Sequence, residues 1–330
     1  MIIPRFYATG SPYLAIDCTG LGNILFQIFT CYGISRKFNH DINYYYLIDF
    51  LLTIERRFNL NSHRTTIFRK FGKNYDFEQN KILLNKLHSS TTDLVRLKEN
   101  NSFYSLYDQN LINEIKNYDL SVNILINGYL QSHCYFDEYR NDIIKLIEPD
   151  SLSINFISNK YPHLFDKNII NISVHIRLNW GNKHHQIFFN FDFFYEAINY
   201  IKEQIKNKNK NNQNNKKNEF IINVFSDDIS AIESKFADLQ DKVVYFKDNL
   251  DYIDLWSMSL CQHNILSNST LSWWGAYINI NPDPIIVYPK DVLRLWFGTV
   301  KSCYMLEKRC VEHYKKEWIA LDTKNVIYQK

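Results

Sequence analysis

The second half of this chain alternates short apolar runs with stretches of helical periodicity, and that rhythm limits its fold more than any other feature. Ile169–Ile176 reads as a continuous apolar run, as expected of a parallel strand buried on both faces. Similar runs recur at residues 220–225, 243–246, 264–266 and 285–288. Between them, residues 191–205, 229–236, 252–261 and 271–278 carry helical spacing. Strands alternating with helices predict βαβ units and a doubly wound parallel sheet. In such sheets ligands bind beyond the carboxyl ends of the strands. Polar clusters stand at those places here, at residues 226–228 and 267–270.

The first half is less regular. Residues 13–17 read as a strand, Gly20-Leu21-Gly22-Asn23 as a glycine turn, and the apolar positions Leu25, Phe26, Phe29, Tyr32 and Gly33 as a helix. Residues 41–120 mix aromatic-rich pieces with a polar, helix-like stretch at 80–100. A short strand is expected at 122–126 and an amphipathic helix at 135–147. Glu148-Pro149-Asp150 is a plausible hinge because proline ends the preceding helix, which divides the chain into 1–150 and 151–330. The Asn- and Lys-rich segment 207–218 reads as a solvated low-complexity loop.

Composition excludes several classes. With 45% apolar and 16% aromatic residues, the 330-residue chain can bury a substantial core. A net charge of +3, with Lys and Arg spread along the chain, argues against nucleic acid as a partner. Six scattered cysteines show no metal-ligand spacing and read as reduced thiols. Pro4, Arg5 and Gly10 break the N-terminus too often for a signal peptide or membrane anchor, so a cytoplasmic protein is expected, with membrane contact at most peripheral. The sequons at Asn171 and Asn268 fall in an apolar run and a polar loop, neither suited to a surface glycan.

Four constellations carry the chemistry. The turn Gly20-Leu21-Gly22-Asn23 lacks the third glycine of a dinucleotide fingerprint, and no phosphate-binding GxxxxGK[ST] loop is present. Its glycines allow either a ligand to approach the backbone or simply a tight turn. His175 and Arg177 share one face of their strand, and Arg177 at its end suits a phosphate or a buried carboxylate partner. Ser226-Asp227-Asp228 can cap a helix or accept hydrogen bonds from a ribose or base. Asn268-Ser269-Thr270-Leu271-Ser272 offers three hydroxyls and fresh helix N–H groups, either as an anion site or as a cap. Two anion-type sites at neighbouring strand ends favour a diphosphate. No Asp-x-Asp or carboxylate-spaced histidine pair points to a metal, and the aromatic clusters around residues 188–194 and at Trp273-Trp274 read mainly as core.

These segments, in order, resemble the α-1,2-fucosyltransferase family, glycosyltransferase family 11. The family's glycine-rich opening is matched by Gly20-Leu21-Gly22-Asn23 with Phe26-Gln27, and its mid-chain segment by Gly128-Tyr129-Leu130-Gln131-Ser132 with Tyr135-Phe136. Phe225-Ser226-Asp227-Asp228 matches again, and the run from Met258 to Ala276 is the longest agreement. The family's HxRRGD motif is only partly kept: Leu178, Asn179 and Trp180 follow Arg177. The resemblance implies a GT-B-like α/β fold, two Rossmann-like domains facing across a cleft, with 1–150 on the acceptor side and 151–330 binding a GDP-sugar. It implies metal-independent, inverting transfer of L-fucose from GDP-β-L-fucose to the galactose-type hydroxyl of a glycan acceptor, with no further cofactor. Arg177 would neutralise the departing GDP, and Gly22 and Asn23 would meet the diphosphate and sugar. His175 belongs to the same donor set. Asp227, Asp228 and Asp254 would contact ribose and guanine, and Asn268, Ser269, Thr270 and Ser272 would hold phosphate oxygens. With Leu178 and Trp180 in place of the family's titratable residues, His185 is the nearest candidate for the general base. The same departure leaves two alternatives, another GDP-sugar or a degenerate transferase that binds nucleotide or glycan.

Overall fold

The computed structural model describes residues 1–5, 20–42, 66–68, 94–99, 107–178, 191–211, 219–290 and 312–322. The chain forms two compact units: Met1–Glu148 with Glu307–Lys315, and Pro149–Leu306 with Lys316–Lys330. Each is α/β and built on a parallel sheet.

In the first unit β1 (Ile2–Arg5) opens the chain, followed by α1 (Leu21–Phe38), β2 (Leu94–Lys98), α2 (Gln109–Ile115), β3 (Asn123–Asn127) and, after two 3₁₀ turns, α3 (Arg140–Leu146). The described strands lie in the order β1-β3-β2, all parallel. Pro4 removes no bond to β3, because the backbone N of alternate residues turns to the other side of β1, where the Ile2 N–H reaches the Asp41 carbonyl. β2 corrects the helix-like reading of residues 80–100 at 94–98; residues 80–93 lie outside the described residues. Leu97 is buried between exposed Arg96 and Lys98, an alternation of period two, and the β3 ladder supplies the backbone partners. The expected single helix at 135–147 is likewise broken, into turns at His133–Tyr135 and Asp137–Tyr139 before α3. The expected strand at 13–17 lies outside the described residues.

The second unit begins with a helix not anticipated from the sequence, α4 (Ser151–Lys160), capped by the Asp150 side chain on Ser153 N–H. There follow β4 (Ile169–Ile176), α5 (Asp192–Asn211), β5 (Glu219–Ser226), α6 (Ile229–Ile232), β6 (Lys242–Phe246), α7 (Asp251–Leu260), β7 (His263–Ile265), α8 (Thr270–Tyr277), β8 (Ile286–Pro289) and β9 (Ile319–Leu321). The sheet runs β6-β5-β4-β7-β8-β9, entirely parallel among the described strands. α5 continues through 207–211, the start of the segment expected to be loop, where helix-forming Lys208 and Lys210 alternate with Asn beyond the buried Ile205.

The two faces of this sheet differ. One packs Ile172, Val174, Ile222, Val224 and Ile265 against Phe193, Phe194, Ala197, Ile198 and Ile201 of α5, a dry core at helical spacing. On the other face Asn223, Ser173 and Asn264 sit in register on three adjacent strands. Their polar groups are satisfied internally: Asn264 Nδ2 donates to Ser173 Oγ (2.7 Å), Asn279 Nδ2 to Asn264 Oδ1 (2.7 Å) and Asn223 Nδ2 to Asn171 Oδ1 (3.0 Å). Trp273 and Trp274 are fully buried on α8. A Cβ on Gly275 would come within 2.8 Å of Met258 Cβ, so only glycine lets α8 lie this close to α7.

Candidate nucleotide-sugar site

At the carboxyl ends of β5 and β6 lies a cavity of about 270 Å³, lined by Ser226, Asp227, Ser230, Phe246, Asn249 and Asp254 among others. The topology puts it there: each strand of a parallel sheet delivers its following loop to the same edge. Phe246 forms the apolar part and is stacked on Tyr161 at 3.8 Å between ring centroids. The polar part includes three carboxylates, Asp227, Asp248 and Asp254, together with Lys247. Asp254, from the first turn of α7, accepts a hydrogen bond from Asn249 Nδ2 (2.8 Å). Desolvation, reinforced by the negative charge of Asp251, raises its pKa to about 7, against the pull of the Asn249 bond and Lys160. Asp254 is thus an acceptor at the pocket wall whose charge changes near neutral pH.

Asp227 links this pocket to the end of β4. Its Oδ1 accepts the Leu178 N–H (2.9 Å), and its Oδ2 pairs with Arg177 Nη1 at 3.4 Å. The Arg177 side chain is 40% exposed, so the cation is held in place yet open to solvent. It is therefore a paired arginine at a strand end rather than a core arginine. Asp228 caps α6, accepting from Ala231 N–H (3.1 Å) and Ser230 Oγ (2.7 Å), and these bonds hold its carboxyl below the usual range. Of the two readings of this segment, Asp228 takes the cap and Asp227 faces the pocket.

Two residues of the expected donor set lie differently from the expectation. His175 is buried, with Nδ1 2.9 Å from Ser267 Oγ, and burial together with the Arg177 charge lowers its pKa to about 3. A neutral, enclosed imidazole offers no charge to a phosphate; it fixes the loop that starts at Ser267. Ser272 is also buried and donates its hydroxyl to the Ser269 carbonyl (2.9 Å), so it closes the first turn of α8 instead of reaching outward. Ser269 is the cap of α8, accepting from Leu271 N–H (3.3 Å). Asn268 keeps its Oδ1 buried without a hydrogen-bond partner, and with Thr270 it stands at the α8 start. His185 lies outside the described residues.

In the first unit the two glycine-containing motifs meet. Asn23, Gln27 and Thr30 recur at helical spacing on one face of α1, and each engages the segment after β3. Gln131 Nε2 donates to Asn23 Oδ1 (2.8 Å), Gln27 Nε2 to the Gly128 carbonyl (3.1 Å) and Thr30 Oγ1 to the Leu130 carbonyl (3.2 Å). Sequence reading placed Gln131 in a motif but assigned it no role, since nothing in its spacing reveals a partner 108 residues away. A returning C-terminal segment completes this cluster. His313 Nδ1 lies 2.7 Å from the Gln131 carbonyl, and its ring stacks on Phe26. Gly22 opens α1 and is buried; Gly20 caps it at an ordinary φ of −54°, with open space where a Cβ would stand.

Known proteins resemble this chain along most of its length. Residues 196–322 match the profile of the family described as Glycosyl transferase family 11. The chain is 29% identical over 306 residues to the O-antigen biosynthesis glycosyltransferase WbnK of Escherichia coli, covering 86% of this chain and 94% of that protein. It is 26% identical over 160 residues to an Escherichia coli alpha-1,2-colitosyltransferase, covering 46% and 50% respectively. Among solved structures it is similar to Arabidopsis thaliana FUT1 in complex with GDP (10% identity, 87% of this chain and 70% of that chain, TM-score 0.43). It is also similar to the fucosyltransferase NodZ from Bradyrhizobium (13% identity, 87% and 94%, TM-score 0.44).

Proposed function

We propose that this chain, which belongs to glycosyltransferase family 11 and is a glycosyltransferase, moves L-fucose from GDP-β-L-fucose to a galactose-type hydroxyl of a glycan in α-1,2 linkage, with inversion and without a metal. The observation that carries the donor half is the pocket at the ends of β5 and β6. Of its three carboxylates, Asp227 and Asp254 suit a base and ribose rich in donors, and guanine presents N–H groups that a carboxylate accepts. Arg177, fixed by Asp227 but open to solvent, is suited to the charge that develops on the departing diphosphate. The first N–H groups of α8, with the amide N–H₂ of Asn268, are assigned to the neutral part of that anion site, as the resemblance implies for phosphate oxygens.

Gly22 and Asn23 are assigned to the transfer step together with Gln131. A second reading, that the donor is another GDP-sugar, is favoured by the likeness to an alpha-1,2-colitosyltransferase and by Leu178 following Arg177. A donor panel that includes the colitosyl nucleotide separates the two.

The donor class is tested by thermal denaturation with GDP, UDP and NAD. GDP is expected to raise the melting temperature selectively, and Asp254→Asn to remove most of that selectivity. GDP affinity is further expected to weaken as the pH falls through about 7, where Asp254 gains its proton. Equal stabilisation by UDP, or unaltered selectivity in the Asp254→Asn variant, would sink the assignment.

A further inference from the structure

The first unit contains a carboxyl that the proposed reaction does not use. Glu99 follows β2 and is 1% exposed. Its backbone N–H donates to the Asn127 carbonyl (2.9 Å), which continues the β2–β3 ladder by one residue. Its Oε2 accepts the Leu130 N–H at 2.9 Å, and the Tyr129 N–H also donates to the carboxyl. Its Oε1 is buried and has no hydrogen-bond partner. Such a group is costly to bury, and a fold that only needed to fill this space would do so at less cost with an apolar side chain.

What the carboxyl grips is unusual. Leu130 has φ of 54°, in the left-handed region that a branched residue rarely adopts. Gly128 packs directly on Glu99: a Cβ there would come within 2.6 Å of Glu99 Cβ and 2.7 Å of Oε2. The segment is held from the opposite side by Gln27 and Thr30 of α1. Its next residue, Gln131, reaches Asn23.

We propose that Glu99 is a positioning residue for sugar transfer: its buried carboxyl holds the turn at Tyr129–Leu130 and thereby sets Gln131 against Asn23. This rests on the reading that Asn23 and Gln131 take part in transfer. The grip depends on charge. An ionised acceptor makes shorter and stronger hydrogen bonds to backbone N–H groups than a neutral one. Among the described residues, the titratable groups facing Glu99 are Asp108, which caps α2, and Tyr135 from the turn after β3. Burial, with Asp108 adding to it, raises the Glu99 pKa to about 7, while the Leu130 and Tyr129 N–H groups oppose the shift. Because burial outweighs the two bonds, the enclosed carboxyl favours its neutral form, and deprotonation through neutral pH loosens the turn.

The test is turnover by wild type, Glu99→Gln, Glu99→Ala and Asn23→Ala at pH 6 and pH 8, with GDP-induced stabilisation recorded alongside. Glutamine preserves shape and one acceptor but stays neutral. The wild-type to Glu99→Gln ratio of kcat is expected to be near one at pH 6 and to fall to about one tenth at pH 8, the scale of a small misplacement of a positioned group. Glu99→Ala, with no acceptor for the turn, should lose turnover at both pH values, and GDP stabilisation should stay unchanged in both Glu99 variants. A ratio that is the same at both pH values overturns the proposal even if Glu99→Ala fails to fold, because a merely structural role has no such dependence. If Asn23→Ala turns over like wild type, the underlying reading of this cluster fails instead.

Discussion

His175 and Arg177 stand two residues apart on one strand and carry opposite fates. Arg177 ends the strand and keeps its charge at an open surface beside Asp227, whereas His175, one pleat earlier, is enclosed and neutral. The spacing made both visible as a pair on one face, but depth along the strand, which decides the charge, is not written in a local pattern. The buried imidazole has a pH consequence. Its folded pKa of about 3 lies below the 6.5 of an exposed histidine, so the unfolded chain takes up a proton first as the pH falls. Stability from this group is complete above about 6.5 and declines between 6.5 and 3. Replacing His175 with Gln is expected to flatten the melting temperature against pH across that window, measured by thermal denaturation in matched buffers. Ser272 teaches the same lesson. Hydroxyls at 269, 270 and 272 look equivalent in sequence, yet the helical turn directs Ser272 inward to the Ser269 carbonyl.

At the scale of elements, β4 to β8 and the helices between them were legible because the alternation of apolar runs and helical spacing repeats along the second unit, whereas nothing in that rhythm marked α4 or β9. β4 to β8 fall within a residue or two of their expected positions. β2 was not, since five residues with two exposed cations carry too little signal against a helix-like flank; only pairing with β3 makes them a strand. β1 and β9 are similarly short, and their order in the sheets depends on partners far away in sequence. The motif segments of the first unit were recognisable, but their mutual contact was not, because the polar stripe of α1 is read only once the turn after β3 lies on it. α5 provides a prediction at this level. Phe194 is fully buried where α5 meets the sheet, so Phe194→Ala should cost about 3–5 kcal/mol of stability by transfer and cavity terms. Denaturant unfolding measures it, and a loss below about 1 kcal/mol would contradict the dry-face packing described for α5.

At the scale of the molecule, the chain builds each of its two units from non-contiguous pieces. Residues 307–315 return to the first unit and residues 316–330 to the second. Neither return has a periodicity that sequence reading could have used; His313 on Gln131 and β9 on β8 are tertiary facts. Among the described residues, no helix is long and apolar enough to cross a membrane. The central claim is that the strand-end pocket and Arg177 serve transfer from a GDP-sugar. Its most direct test is transfer of radiolabelled fucose from GDP-fucose to a β-galactoside by wild type and Arg177→Ala. The account predicts an α-1,2-linked product from wild type and a drop in kcat of about 10²–10³ in the variant, the scale expected when a group that stabilises developing charge is removed. Wild-type protein that binds GDP but transfers no GDP-sugar to any galactoside, or an Arg177→Ala variant with unchanged turnover, would contradict it.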